Sequence, residues 1–191
     1  LFNFDAAIEK FEKNIKKSRF EHTLGVIKMA EDLANFYKVD VEKAKIAALL
    51  HDCAKNNEEE YFNKFKDKYN LDIEVLSDKI KSHQILGAIA AKEIYEIDDE
   101  DILGAIRSHT TARVDMSDLE KIIYVADAIE ENRDYPGVYD LREKRFNGLN
   151  EITLEVMNQT LIFLIENGYE ISTETVDARN YIIERKINGR R

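Results

Sequence analysis

Ala47-Ala48-Leu49-Leu50-His51-Asp52 carries an apolar run straight into an imidazole and a carboxylate. Val41, Ala44, Ala47, Ala48 and His51 repeat at helical spacing, so the run reads as a helix buried along one side and ending on two polar groups. A histidine and an aspartate set beside buried residues are expensive to desolvate without a partner. A divalent cation supplies one. Mixed imidazole and carboxylate donors suit Fe, Mn, Zn or Co, whereas all-oxygen sets suit Mg and Ca. Neighbours on a helix point about 100° apart, so His51 and Asp52 can share an ion only if it lies beside the helix wall between them.

The same spacing extends in both directions. Phe4, Ile8, Phe11 and Ile15 form one stripe, and Ile27, Ala30, Ala34 and Tyr37 a second. Tyr61, Phe62, Phe65 and Tyr69 mark a strongly charged segment, Ile85, Ile89 and the alanines between them a closely packable helix, and Ile102, Leu103 and Ile106 a short one. Ser117-Asp118-Leu119-Glu120 reads as a capping box opening a helix with Leu119, Ile122, Ile123, Ala126 and Ile129. Leu154, Met157, Leu161, Leu164 and Ile165 carry another, stopped near Asn167-Gly168, and a last helix is expected from about Thr175 to Ile187. Arg133 to Asn147 reads as a loop or short broken helix, and Asn188 to Arg191 as a frayed tail. Proline occurs once, at Pro136, and no alternating run supports a sheet. The fold class is all-α.

The chain has 191 residues, enough for one domain or one with a small appendage. Its one cysteine, Cys53, rules out an internal disulfide and fits a reducing cytosol. No signal-peptide pattern opens the chain and no apolar run is long enough for a bilayer, so a soluble cytoplasmic protein is expected. Lys plus Arg number 28 and Asp plus Glu 38, a net charge of -10. That bias argues against nucleic acid and anionic membrane as partners. It also requires any phosphate ligand to meet a local cluster of cations. Apolar residues left outside the core would support a homodimer.

The second acid in an apolar setting is Asp127, within Ile122-Ile123-Tyr124-Val125-Ala126-Asp127-Ala128. It is either a metal ligand or a buried carboxylate holding a backbone amide or an arginine such as Arg133. Lys55, four residues after His51 and three after Asp52, falls on the ligand face if the helix continues, as a phosphate contact. Arg133 follows Asp127 by six residues, about 1.7 turns, and could grip a phosphate with its fork or pair with Glu130 or Asp134.

His22, then His51-Asp52, then Asp127 resembles the H…HD…D signature of HD-domain phosphohydrolases. Longer stretches narrow the likeness. Arg19-Phe20-Glu21-His22-Thr23-Leu24-Gly25-Val26, His51-Asp52-Cys53-Ala54-Lys55, Ser82-His83, His109-Thr110-Thr111-Ala112-Arg113, Met116 to Asp127, Glu130-Glu131-Asn132-Arg133 and Thr175-Val176-Asp177-Ala178-Arg179-Asn180 resemble the YqeK family. The motifs occur in order and claim all four histidines. Cys53 stands where an aromatic residue is expected and Ala112 where glycine is expected; neither removes a proposed ligand.

The resemblance implies an HD-domain helical bundle, a single domain over residues 1–191 with a core of about 18–135 and C-terminal helices of about 150–187 packed on it. It implies an activity similar to symmetrical bis(5'-nucleosyl)-tetraphosphatases, which cut diadenosine tetraphosphate into two ADP with bound iron, manganese or cobalt being alternatives. His22, His51, Asp52 and Asp127 would hold the first metal. His83 and His109 would bind a second metal or the phosphate chain, and with Asp52 and Lys55 would form the catalytic set; the number of metals stays open. The chemistry suits these groups, because metal neutralises the phosphoanhydride oxygens and lowers the pKa of bound water, giving hydroxide near neutral pH. Thr110 and Thr111 would offer hydroxyls to phosphate, Gly25 would leave room for a ligand or for helix packing, and Thr175 and Arg179 would complete the nucleotide pocket. The alternatives are another HD nucleotide phosphohydrolase, such as a nucleotidase, and a non-catalytic nucleotide or metal sensor.

Overall fold

Apolar stripes at helical spacing become helices only when each finds a face to cover. In the computed structural model, which describes residues 2–78 and 80–188, eleven helices are seen and no strand among the described residues. They are α1 (Phe4–Asn14), α2 (Lys17–Tyr37), α3 (Val41–Leu50), α4 (Glu58–Tyr69), α5 (Glu74–Ser77), α6 (Ser82–Tyr95), α7 (Glu100–Ser108), α8 (Asp118–Ile129), α9 (Val138–Lys144), α10 (Leu149–Glu166) and α11 (Thr173–Asn188). The chain is therefore all-α, as its periodicity predicts.

The bundle is centred on α2, α3, α7 and α8, which pack on one another, with α6 against α7 and α10 against α8. Val26, Ala30, Leu33 and Ala34 of α2 meet Ala44, Ala47, Ala48 and Leu50 of α3 and Ile122, Ile123 and Ala126 of α8, all fully buried. The many alanines keep the helix axes close, which lets long side chains from different helix ends meet inside. Short polar residues start several helices, at α8 as the capping box predicts. Asp40 accepts from the Lys43 amide, Asp99 from the Asp101 and Ile102 amides, and Ser117 and Glu120 form the reciprocal capping box.

The helix before His51 ends at the two polar groups, as read: α3 stops at Leu50 and residues 51–56 form consecutive turns, closing on Asn56 in the left-handed region (φ +68°), so Lys55 sits on a turn and not on a helix face. Two expectations are corrected. On α6 the deepest positions are Leu86, Ala90 and Ala91, one residue later than Ile85 and Ile89, which are half-buried. On α10 only Ile152, Thr153, Val156 and Met157 are buried, whereas Leu154, Leu161 and Leu164 are partly covered and Ile165 is exposed. Periodicity marks a stripe but not how far the neighbouring helix runs along it.

The segment from Arg133 to Asn147 contains the seven-residue α9. Of the expected tail, Asn188 ends α11 and residues 189–191 lie outside the described residues. No helix among the described residues is long and apolar enough to cross a membrane.

Candidate metal centre

Six imidazole and carboxylate side chains converge between the ends of the central helices. His22 comes from the second turn of α2, and His51 and Asp52 from the end of α3. His83 comes from the start of α6, His109 from the residue after α7, and Asp127 from the last turn of α8. All four histidines and Asp52 are buried, and Asp127 is partly so. His51, at the end of α3, keeps helical backbone angles (φ -54°, ψ -39°), and Asp52 follows it in the first turn beyond the helix.

Asp127 Oδ1 lies 3.0 Å from His22 Nε2 and 3.9 Å from His51 Nε2. Asp52 Oδ2 lies 3.5 Å from His51 Nε2, and its Oδ1 is 3.5 Å from His109 Nε2 and 3.8 Å from His83 Nε2. Two triads, His22–His51–Asp127 and His51–Asp52–His109, each bring three donor atoms within 4.8 Å of one another.

The hydrogen bonds behind the rings decide which nitrogen faces inward. His51 Nδ1 donates to the Ala48 carbonyl (2.7 Å) and His109 Nδ1 to the Ile106 carbonyl (2.8 Å). A carbonyl only accepts, so the proton is on Nδ1 and the Nε2 lone pair points into the cluster. His22 Nδ1 donates to the Glu130 carboxylate (3.0 Å), with the same result. The Nε2 atoms of His22 and His51 are buried without a hydrogen-bond partner. Orphaned buried lone pairs of this kind are costly unless something electrophilic meets them. A metal cation fits these residues.

His83 differs. Lys55 Nζ lies 3.2 Å from its Nδ1 and 3.4 Å from its Nε2, so the ammonium faces the ring edge that carries both nitrogens. Nε2 also lies 3.0 Å from Thr110 Oγ1 and 3.3 Å from His109 Nε2. Burial, reinforced by His109 and Lys55, pushes His83 down to about 3, so this ring is neutral.

Burial pushes the Asp52 carboxyl up, but His51 and His109 outweigh it and hold it well below the usual range. Burial opposes Asp127 in the same way and is overcome by the neighbouring His22, His51 and Arg133. His51 is disfavoured as a cation by burial yet raised overall by Asp52 and Asp127. The two carboxylates thus make the centre attractive to positive charge.

The other sequence candidates fall in different places. Lys55 reaches the cluster from the turn after α3, and Thr110 faces His83. Arg133 pairs with Asp127 through Nη2 (2.7 Å) and with its carbonyl through Nε (2.9 Å), rather than with Glu130 or Asp134. Gly25 faces Glu130: a Cβ there would lie 2.1 Å from Glu130 Oε2. Thr175 Oγ1 donates to the Thr111 carbonyl (2.7 Å), tying α11 to the loop after His109, and Arg179 Nε donates to Asn158 Oδ1 on α10. Cys53 is buried with its thiol on the Gly87 carbonyl, and burial pushes the thiol up, which suits a core residue.

Sequence reasoning missed three groups. Arg19 Nη1 donates to Asp52 Oδ2 (2.9 Å); its place three residues before His22 on one helix face was a usable signal. Glu130, 1% exposed, accepts from His22 and from the Asn132 amide (2.7 Å). Gln84 accepts from the Thr110 amide and donates to Thr111 Oγ1, fixing the loop after His109. Glu130 lies in one of the stretches that carry the family resemblance, but nothing local assigns it to His22 or Gln84 to the loop after His109, because their partners come from distant helices.

A buried His–Asp cluster set between helix ends, with arginine and lysine at its margin, defines a metal-centred helical hydrolase class. Residues 19–132 match the HD domain, and the chain belongs to the HD-domain family. Within that family it is 37% identical over 183 residues to a symmetrical bis(5'-nucleosyl)-tetraphosphatase of Halalkalibacterium halodurans, covering 95% of this chain and 97% of the relative. It is 33% identical over 182 residues to one of Bacillus subtilis, covering 95% and 98%. A crystal structure of a predicted HD superfamily hydrolase involved in NAD metabolism from Clostridium acetobutylicum superposes with a TM-score of 0.88 at 40% identity, covering 97% of this chain and 99% of that one. The family and the donor set together indicate a divalent metal at this centre.

Proposed function

We propose that this protein is a metal-dependent symmetrical hydrolase of dinucleoside tetraphosphates, converting diadenosine tetraphosphate and water to two ADP. The observation that carries this reading is the set of three Nε2 lone pairs, on His22, His51 and His109, turned toward two ionised carboxylates. Near full-length similarity to chains named for this activity supports the substrate. The compartment we infer is the cytoplasm, in keeping with a buried, unpaired Cys53.

His22, His51, Asp52 and Asp127 hold the metal, and His109 completes the donor set on the Asp52 side. The metal we infer is iron, with manganese or cobalt able to replace it, because imidazole and carboxylate donors suit these ions. When bound, such an ion neutralises phosphate charge and lowers the pKa of water. The remaining steps belong to the chain. Lys55, Thr110 and His83 meet phosphate oxygens. Arg19 and Arg133 each spend only part of the guanidinium on a carboxylate and keep N–H groups for the substrate. Asp52, held ionised, accepts a hydrogen bond from the attacking water. The water oxygen adds to one central phosphorus as its proton passes to Asp52, the bridging P–O bond breaks, and the bridging oxygen leaves with the second ADP, after which Asp52 releases the proton to solvent. Thr175 and Arg179 hold α11 against the loop after His109 and against α10, and so shape the wall of the pocket.

The test is incubation of metal-analysed protein with diadenosine tetraphosphate, with and without added iron, manganese or cobalt, and separation of products by anion exchange. ADP as sole product, lost on chelation, is expected. AMP with ATP would overturn the symmetrical cut. No turnover with any of the metals would overturn the activity and leave the nucleotidase and sensor readings to be tried.

A further inference from the structure

A groove of about 390 Å³ lies beside the metal centre, at the junction of α1 and α2 and against the turn after α3. Lys13, Lys16, Lys55, Asn56, Asn57 and Tyr61 are among the residues that line it. Its volume falls in the roughly 300–1,000 Å³ range of small-molecule sites. Two links join it to the cluster. Lys55 lines the groove while its Nζ lies on His83. The Lys16 carbonyl accepts from the Arg19 amide (2.9 Å), one turn from the guanidinium that binds Asp52. Asn57 Nδ2 donates to the Asn14 carbonyl (3.0 Å) and ties the two walls together.

Charge sets this groove apart from the rest of the surface. The chain carries a net -10, and most cations near the centre already face a carboxylate: Lys17 on Glu21, Arg19 on Asp52, Lys81 on Glu174, Arg133 on Asp127. Among the described residues Lys13, Lys16 and Lys55 have no such ion pair, and all three line one cavity with a single acid, Glu60. Unpaired ammonium groups gathered in an acidic protein are a local attractor for a polyanion. Tyr61 and Ile15 add apolar surface, and the asparagines add amide donors and acceptors.

A dinucleoside tetraphosphate cut at its middle bond must place equal halves on both sides of the metal centre. We propose that this groove is the subsite for the second nucleoside diphosphate half, the half that leaves, with Lys13 and Lys16 on its phosphates and Lys55 at the junction. The inference rests on the function proposed above. It assigns the specificity for a dinucleotide over a mononucleotide to residues outside the metal cluster.

The test is Lys13→Ala/Lys16→Ala, a double variant of exposed side chains, in the metal-loaded enzyme. KM for diadenosine tetraphosphate is expected to rise about 10-fold, the loss of two solvent-exposed charge contacts. The inhibition constant for ADP competing at the metal side should stay within about twofold. Lys13→Arg/Lys16→Arg should restore KM, and added salt should shrink the difference. An unchanged KM in the alanine variant, with normal wild-type turnover, removes the subsite alone. Equal losses for ADP and for the dinucleotide would place the lysines at the metal-side half and also overturn the proposal. Absence of wild-type turnover removes the proposed function, and the subsite with it.

Discussion

At the scale of single residues, Glu130 and Gly25 bear on the centre as directly as the ligands do. Glu130 holds the proton of His22 on Nδ1, and Gly25 keeps the space that its carboxylate occupies. A carboxylate behind a ligating imidazole fixes its tautomer and raises its basicity. Glu130→Ala is therefore expected to weaken metal affinity by about 10–100-fold while the cobalt-substituted protein changes its visible spectrum. Glu130→Gln, whose amide oxygen still accepts from Nδ1, should recover much of that loss. Metal titration with both variants checks this, and wild-type affinity in Glu130→Ala would remove Glu130 from the metal centre. Ala112 tells a different story at the same scale. It stands where the family resemblance led us to expect glycine, and it adopts φ +61°, a left-handed conformation that costs an L-residue about 1–2 kcal/mol. The loop that carries His109 and Thr110 is thus held against strain by its contacts with Gln84 and Thr175.

Among the elements, the junction of α7 and α8 shows a local signal recruited for long-range work. Ser117 and Glu120 make the capping box legible in the sequence. Glu120 also takes Arg113 through both oxygens (2.7 and 2.6 Å) and the Ser108 hydroxyl (3.1 Å), and is 1% exposed. Ser117→Ala removes one cap and should cost about 1 kcal/mol. Glu120→Ala removes the reciprocal cap, the Arg113 fork and the Ser108 contact together, and should cost about 3 kcal/mol or more. Chemical denaturation of the two variants compares them directly; equal losses would mean that Glu120 acts as a cap alone. The end of α3 matters for the opposite reason. The helix stops at Leu50, and the turns of residues 51–56 carry Lys55 back toward His83.

For the whole molecule, the buried cluster is both the proposed site and a defect in the core. Two carboxylates, three inward lone pairs and two arginines lie at the meeting point of α2, α3, α6, α7 and α8, where a purely apolar filling would be simpler to pack. Metal that binds only the folded state offsets this by mass action, about 2.7 kcal/mol at a hundredfold excess over Kd. For a chain of this size that corresponds to about 5–10 °C in Tm. Calorimetry of iron- or manganese-loaded protein against chelated protein should find that rise, and an unchanged midpoint would mean that the folded cluster does not take up the ion. The acidic surface works with this centre, since polyphosphate is drawn only where cations are concentrated.

The sequence by itself determined the helical class and the start of α8, and marked His51, Asp52 and Asp127; the family resemblance added His22, His83 and His109. Spacing and capping are local properties: side-chain spacing reports which face is buried, a capping box reports where a helix begins, and imidazole and carboxylate beside apolar residues report a need for a partner. Only the tertiary structure decided how those groups meet. His22 depends on Glu130, 108 residues away, and Asp52 on Arg19, 33 residues away. Gly25, legible as a small residue, became interpretable only when Glu130 was found opposite it. The same holds for the exposed half of α10 and the register of α6, because a stripe carries no record of where its partner helix ends. Spacing along one helix is fixed by 3.6 residues per turn, whereas distances between helices are fixed by how every side chain in the core packs at once.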